Sequence, residues 1–102
     1  MTDFTQSVKD PYGEEYQLDN KPITLGRLCV LALSSQLVGD DQEAVEDKVK
    51  RGDLAFRIGD SEKTTSGLSL SDEERVLVSD RVSRTFASAA LISSIIRSIN
   101  ET

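Results

Sequence analysis

Hydrophobic positions near the start of the chain alternate with polar ones on both sides of a turn signal. Phe4 and Val8 precede the turn, Tyr16 and Leu18 follow it, and Asp-Pro-Tyr-Gly separates the two pairs. Proline presets φ near −65° in such a turn, and glycine accepts a positive φ. The pattern predicts a β-hairpin over residues 3–18. Two strands alone are only marginally stable, so this hairpin must pack on other elements.

After the hairpin, the spacing of hydrophobic residues changes to the three-and-four pattern of an α-helix. Thr24 is a good N-cap for this first helix and Gly39 is a good end, so we predict a helix over residues 24–38. Its hydrophobic residues cover most of the circumference, which is typical of a helix at the centre of a fold. They are Leu25, Leu28, Cys29, Val30, Leu31, Ala32, Leu33 and Leu37.

A second helix is predicted over residues 41–58. Asp40 and Asp41 cap its start, and Gly59 marks its end. Gly52, in the middle of the pattern, costs about 1 kcal/mol relative to Ala unless another backbone approaches there. The stripe expected to face the core consists of Val45, Val49, Leu54, Ala55, Phe56 and Ile58.

Residues 60–69 are small and polar, and we expect them to form a mobile loop. Ser71 and Glu74 then make a capping box at the start of a third helix, predicted over residues 71–85. A final apolar segment over residues 87–99 either continues this helix after a bend or forms a fourth helix. Three basic residues of the third helix are expected to face solvent: Arg75, Arg81 and Arg84.

Together these elements predict an α+β fold that is mainly α. An N-terminal β-hairpin packs against three or four helices, and most contacts join elements that are close in the chain. A length of 102 residues matches one domain, so residues 1–102 are expected to fold as a single unit.

The chemistry open to this sequence is narrow, because it contains no His and a single Cys. An internal disulfide is excluded, and most metal sites and most hydrolases need the missing side chains. Cys29 lies inside the most apolar helix, where burial raises the pKa of a thiol and makes it unreactive. We therefore expect a structural cysteine in a protein that is not an enzyme.

Two further patterns that suggest ligand sites fail on spacing. A calcium loop that begins at Asp40 needs Gly at its sixth position and Glu at its twelfth, where Val45 and Arg51 stand. The glycines match neither the dinucleotide-binding motif nor the P-loop. We expect no catalytic residue, no cofactor, no metal ion and no small-molecule substrate.

The 18 acidic and 12 basic residues give a formal charge of −6, which disfavours nucleic-acid binding. The largest basic cluster, Lys48, Lys50 and Arg51, stands among acidic residues and is predicted to be a solvated helix face. The N-terminus does not resemble a secretion signal, and no segment is apolar over the length that a membrane span needs. A soluble protein is expected, and one unpaired Cys is typical of a reducing cytoplasm.

The isoleucine-rich C-terminal segment is the most suggestive feature for binding. Its hydrophobic residues form two adjacent helical stripes, which is more than a thin core needs. One interpretation is that they complete the core; the other is that they form an exposed interface with a protein partner or with a second copy. The candidate partner-binding residues are Leu91, Ile92, Ile95, Ile96 and Ile99.

Several short motifs occur in a characteristic order. The chain has K-P-I-T-L-G at residues 21–26, A-L at 32–33, K-V-K-R at 48–51 and L-S-D-E-E at 70–74. In this order they resemble a family of small accessory proteins, of unassigned activity, that tailed phages and prophages encode. The likeness covers roughly residues 21–82. Its motifs are mostly helix caps and core positions, so no catalytic residue is carried over.

The resemblance implies a non-enzymatic phage accessory protein, located in the cytoplasm of the bacterial host or associated with the virion. Its partner would be a phage structural protein, in the assembly of a head or tail. The alternative is a host-takeover or anti-defence protein that binds and blocks one bacterial protein through an acidic face. An assembly factor should self-associate or bind through an apolar face, whereas binding by a blocker should weaken steeply with salt.

Overall fold

The computed structural model describes residues 1–100, and its α+β fold is mainly α, as the sequence predicts. A small antiparallel hairpin precedes four helices. No helix in this part of the chain is long and apolar enough to cross a membrane. In order, the elements are β1 (Gln17–Leu18), β2 (Lys21–Pro22), α1 (Leu25–Ser34), a short 3₁₀ helix (Asp40–Gln42), α2 (Val45–Thr64), α3 (Asp72–Thr85) and α4 (Ala89–Asn100).

The N-terminal segment contains the expected turn, and Lys9 pairs with Glu15 across it in an isolated antiparallel bridge, but the strands β1 and β2 lie at the end of residues 3–18 and just beyond them. The backbone N–H of Gly13 donates to the carbonyl of Asp10 over 3.0 Å, which closes the turn. The strands β1 and β2 pair with each other across Asp19 and Asn20. Both residues have a positive φ, 52° and 64°, which Asp and Asn tolerate better than most side chains. A turn of this kind twists in the same sense as the two strands that it joins.

The strand β1 is held on its other side by the segment that begins the chain. The N–H of Tyr16 donates to the carbonyl of Val8, and the N–H of Ile23 donates to the carbonyl of Tyr16, both over 2.9 Å. Phe4 and Val8 are buried in the core. The whole N-terminal segment therefore anchors to the helices through these two side chains.

The helix α1 begins after Thr24, as predicted, but ends at Ser34 rather than at residue 38. The Thr24 hydroxyl accepts from the N–H of Arg27 and caps the start. The backbone turns extended at Ser35, and the N–H of Leu37 donates to the carboxylate of Asp40 over 2.6 Å. Asp40 itself is held by charged partners on α2 and α3, described below. Tertiary pairing thus ends the helix five residues before Gly39, the glycine that local propensity indicates as its end.

The helix α2 is displaced towards the C-terminus relative to its predicted span of residues 41–58. It covers residues 45–64, so residues 60–64 of the expected loop are helical. The side chain of Glu62 accepts from the hydroxyl of Thr24, and the hydroxyl of Ser61 donates to the carbonyl of Ser66. These contacts hold the additional turn, so the helix continues through Gly59.

The capping box predicted for α3 is present. The Ser71 hydroxyl accepts from the N–H of Glu74, while the Glu74 carboxylate accepts from the N–H of Ser71. The backbone becomes extended at Phe86, and α4 begins afresh after it, with the Ser88 hydroxyl accepting from the N–H of Leu91. Of the two alternatives for the last segment, the separate fourth helix is the one observed.

One core joins the N-terminal segment to all four helices. The helix α1 lies at its centre and contacts α2, α3 and α4. Its central position follows from hydrophobic residues on most of its circumference. The buried hydrophobic residues are Phe4, Val8, Leu25, Leu28, Cys29, Ala32, Leu33, Leu54, Ala55, Ile58, Leu70, Val78, Val82, Ile95 and Ile99.

Gly26 is a position in α1 that has no room for a side chain. A Cβ there would lie 2.7 Å from a carboxylate oxygen of Glu62 and 3.0 Å from the carbonyl oxygen of Phe4. We expect Gly26→Ala to lower the free energy of unfolding by about 1–3 kcal/mol, because such overpacking displaces the backbone. Urea denaturation followed by circular dichroism measures this loss. The exposed neighbour Arg27→Ala is the control and should change stability by less than about 0.5 kcal/mol; equal losses would contradict the steric explanation.

Candidate functional site

The five candidate residues of the C-terminal segment lie mainly in the core of their own chain. Ile95 and Ile99 are fully buried, and Leu91 and Ile92 pack against the core while partly exposed. Ile96 is partly exposed as well. The helix α4 therefore closes one side of the core with these side chains, and its two most central residues are not available on the surface.

The helix α2 has two apolar faces, and only one of them meets the core. The core-facing side carries Arg51, Leu54, Ala55, Ile58 and Ser61. The other side is exposed, and the prediction that its valines and Phe56 face the core is wrong. We call this second face the α2 stripe; its members are Val45, Val49, Gly52, Phe56 and Gly59.

The α2 stripe is well exposed and regularly spaced. Val45 is 74% exposed, Val49 53% and Phe56 82%. Successive members are separated by four, three, four and three residues, so they lie along one side of the helix. Three large apolar side chains on one line are more than the isolated exposed hydrophobic residues that any surface carries.

A groove lies between this stripe and α1. Its volume is about 370 Å³, and α1 contributes Val30 and Ser34 to its wall. On the α1 side the apolar surface continues to Leu31, which is 51% exposed, and to Leu18. On the α2 side the groove is lined by Gly52, Ala55, Phe56 and Gly59, with Asp60 and Lys63 at one end.

Packing within the chain explains neither glycine of the α2 stripe. A Cβ added at Gly52 would meet no atom within 4 Å, and one at Gly59 would meet only Val30, at 3.9 Å. Glycine inside a helix costs about 1 kcal/mol relative to Ala. The helix therefore carries two destabilising residues on a face where its own fold has room for side chains.

The charge on α2 differs from that on the rest of the protein. Residues 45–64 contain five acidic and five basic residues, so this helix is formally neutral, whereas the whole chain carries −6. The net negative charge therefore lies entirely outside α2. Lys48 and Asp53, which flank the α2 stripe, are exposed and form no ion pair within residues 1–100.

A buried ionic cluster lies away from the stripe, at the C-terminal end of α1. The guanidinium of Arg81 donates a hydrogen bond to each carboxylate oxygen of Asp40, over 2.8 and 3.0 Å. Arg51 lies 3.8 Å from the same carboxylate and donates to Glu43 over 2.9 Å. The Arg81 hydrogen bonds, with one from the N–H of Leu37, hold the pKa of Asp40 well below its usual range.

This cluster also donates hydrogen bonds to the backbone carbonyls at the end of α1, which have no partner within the helix. Arg81 donates to the carbonyls of Ala32 and Ser35, and Arg51 donates to that of Leu33. Cations at a helix C-terminus are favourable because the helix dipole is negative there. The last turn of α1 has no basic residue of its own, so α2 and α3 supply both charges.

The cluster contradicts two predictions from the sequence, that Asp40 caps α2 and that Arg81 faces solvent. A signal for Arg81 was present: it lies three residues after Val78 and directly before Val82, on the side of α3 that carries the core residues. Arg51 likewise stands at helical spacing from Leu54 and Ala55, and it is buried rather than part of a solvated basic face. An arginine in a core stripe predicts a buried partner.

The thiol of Cys29 is buried in α1, and burial raises its pKa to about 12. We expect no reaction of the native protein with a thiol-specific disulfide reagent at pH 8, and full reaction in denaturant, because only the thiolate attacks. Absorbance of the released thiol measures both rates. A surface variant such as Ser34→Cys is the positive control, and rapid labelling of the native wild type would contradict the assignment.

Within residues 1–100, no group of three or more Cys, Asp or Glu side chains is placed to hold a metal ion. The acidic residues at positions 40–43 therefore do not form a metal cage; Asp40 and Glu43 are paired with arginines instead.

Comparison with known proteins adds no relative: no family model, no curated protein and no solved structure matches the chain.

Proposed function

We propose that this protein acts without catalysis, through protein–protein contacts made by the α2 stripe, in the assembly of a phage or prophage virion. One observation carries the proposal: α2 exposes Val45, Val49 and Phe56 in a line beside an apolar groove, while its opposite side fills the core. Exposed contiguous apolar surface of this kind marks binding to another macromolecule.

The type of contact follows from the composition of the surface. Aromatic residues in the middle of an interface dominate binding energy, and Phe56 is the only aromatic residue on the α2 stripe. The helix α2 is formally neutral, so the α2 stripe is suited to an apolar contact whose strength depends little on salt. The role in assembly is the one we favour for a chain that resembles small phage accessory proteins of unassigned activity.

The experiment is a complementation assay in a phage or prophage that carries this gene. With the gene deleted, variants are supplied from a plasmid, and complete particles are counted by electron microscopy. We expect Phe56→Glu to leave the yield at the level of the deletion, because a charge replaces the central apolar contact. Val76→Glu is the matched control, since Val76 on α3 is 69% exposed but lies outside the stripe; it should restore the yield.

Full particle yield with Phe56→Glu would contradict the proposal. Circular dichroism and urea denaturation of both purified variants establish that they are folded before the yields are compared. Both substitutions place Glu on an exposed helical position, so loss of stability should be small and equal.

The second candidate, a protein that blocks a host factor, is favoured by a different observation. The acidic residues in the first turns of α2 and α3 are exposed, among them Glu46, Asp47, Asp72 and Glu73. A basic partner would bind there, and its affinity would fall steeply as salt rises. For that function, Glu73→Lys should abolish binding to the host factor while Phe56→Glu leaves it intact.

A further inference from the structure

We infer that the α2 stripe binds a second copy of this chain, with the two α2 helices packed side by side and parallel. The inference rests on the proposed function, because it names the partner of the same surface. Three properties of the surface support it: its spacing, the shape of the groove beside Phe56, and its charge.

The spacing of the stripe fits a helix as the partner. Separations of four, three, four and three residues between apolar or small positions form the heptad pattern with which two helices pack along each other. Val45, Gly52 and Gly59 take the d positions of this pattern, while Val49 and Phe56 take the a positions. A flat sheet or an irregular loop would not require this repeat.

The groove beside Phe56 has the shape that a second Phe56 requires. In helix pairs of this kind, each large side chain inserts between four residues of the facing helix. In a parallel pair, the four residues that face an a-position Phe56 are Gly52, Ala55, Phe56 and Gly59. These same four residues line the α2 side of the groove. The two glycines, which the isolated chain does not need, leave the space for the incoming ring.

Charge allows a second copy to approach at this surface. Two molecules of −6 repel each other, and α2 is the helix on which the charges balance. Lys48 and Asp53 stand at the g and e positions on the two flanks of the stripe, where charged residues pair between helices. In a symmetric pair this contact occurs twice, each lysine facing the aspartate of the other copy.

The test is the mass in solution, measured by light scattering on a sizing column at low and high salt. We expect the wild type to be a dimer at both. Phe56→Glu should be a monomer, and so should Gly52→Leu, which fills the hole on the facing helix. A Cβ at Gly52 meets no atom of its own chain within 4 Å, and Leu improves helix propensity, so the Gly52→Leu monomer should remain folded. Val76→Glu, outside the stripe, should remain a dimer.

The charge pair gives a second, independent readout. Lys48→Asp should shift the dimer towards monomer at low salt, because two aspartates then face each other. Adding Asp53→Lys to the same chain reverses both charges and should restore the dimer. A wild type that is monomeric at its highest soluble concentration would overturn the inference, as would a double variant that fails to recover the dimer.

The outcomes separate this inference from the proposed function. If the wild type is monomeric and Phe56→Glu still abolishes particle formation, the dimer inference is rejected. The assembly role is then retained, with another protein as the partner of the α2 stripe. If the wild type is dimeric and the monomeric Phe56→Glu variant gives a normal particle yield, the dimer inference is retained. The assembly role is then rejected.

Discussion

Substitution of Arg81 by Met should lower the free energy of unfolding by about 3–5 kcal/mol, because it leaves a buried carboxylate without its main partner. Arg81 is 2% exposed and binds both oxygens of Asp40 as well as two carbonyls at the end of α1. Arg51, at 3.8 Å from the carboxylate, is too far to replace it. Urea denaturation at pH 7 measures the loss.

The control for Arg81→Met is Arg84→Met on the same helix. Arg84 is exposed, pairs with Asp80 over 3.5 Å and donates to the carbonyl of Val38. An exposed ion pair contributes at most about 1 kcal/mol, so the change should be within that range. Comparable losses in the two variants would contradict the importance assigned to the buried cluster.

Acid gives a second measurement of the same cluster. The pKa of Asp40 is lowered in the folded chain, so its carboxylate stabilises the fold fully above the ordinary carboxyl value of 3.8. That stabilisation is lost as the pH falls below this value and the unfolded state takes up a proton more readily. The wild type should therefore lose more stability between pH 5 and pH 3 than Asp40→Asn, which has no carboxyl to titrate.

Substitution of Ile95 by Glu should unfold the protein under conditions in which the wild type is fully folded. Ile95 is fully buried, and a carboxylate in apolar surroundings has neither water nor a partner. A loss above about 4 kcal/mol is a large part of the stability that a domain of this size has. Circular dichroism at 222 nm and a sizing column report the unfolded, expanded chain.

The control for Ile95→Glu is Ser93→Glu on the same helix, at an exposed position, which should remain folded. A folded but monomeric Ile95→Glu variant would mean that the isoleucine-rich segment is the interface after all. That outcome would also place the contact on α4 rather than on the α2 stripe, so one variant separates the two surfaces.

Local sequence signals predict the starts of α1 and α3 and the central position of α1. The capping box at Ser71 depends on two residues three positions apart, and it forms as expected. Thr24 caps α1, and the apolar residues around that helix place it at the centre of the fold. Each of these features is decided by neighbours in the chain, so no knowledge of distant residues is needed.

The residues at which α1 and α2 end, and the side of α2 that packs on the core, could not be predicted in the same way. Gly39 and Gly59 are good local stops, yet α1 ends earlier and α2 continues further. Partners that are distant in the chain decide both ends. Arg81 binds Asp40 just beyond the end of α1, and Thr24 binds Glu62 in the last turn of α2. A glycine lowers helix stability by about 1 kcal/mol, which one or two such contacts exceed.

The candidate site likewise depends partly on the local sequence and partly on contacts between distant residues. The sequence by itself determined that α2 carries apolar residues at helical spacing and that Gly52, in the middle of that pattern, needs an explanation. Only the tertiary structure decided which side of α2 packs on α1. That side includes Arg51 and Ser61, which form hydrogen bonds with other parts of the fold, and it leaves Val45, Val49 and Phe56 in solvent. Hydrophobic spacing gives the stripes of a helix, whereas their burial depends on which stripe fits the neighbouring helix.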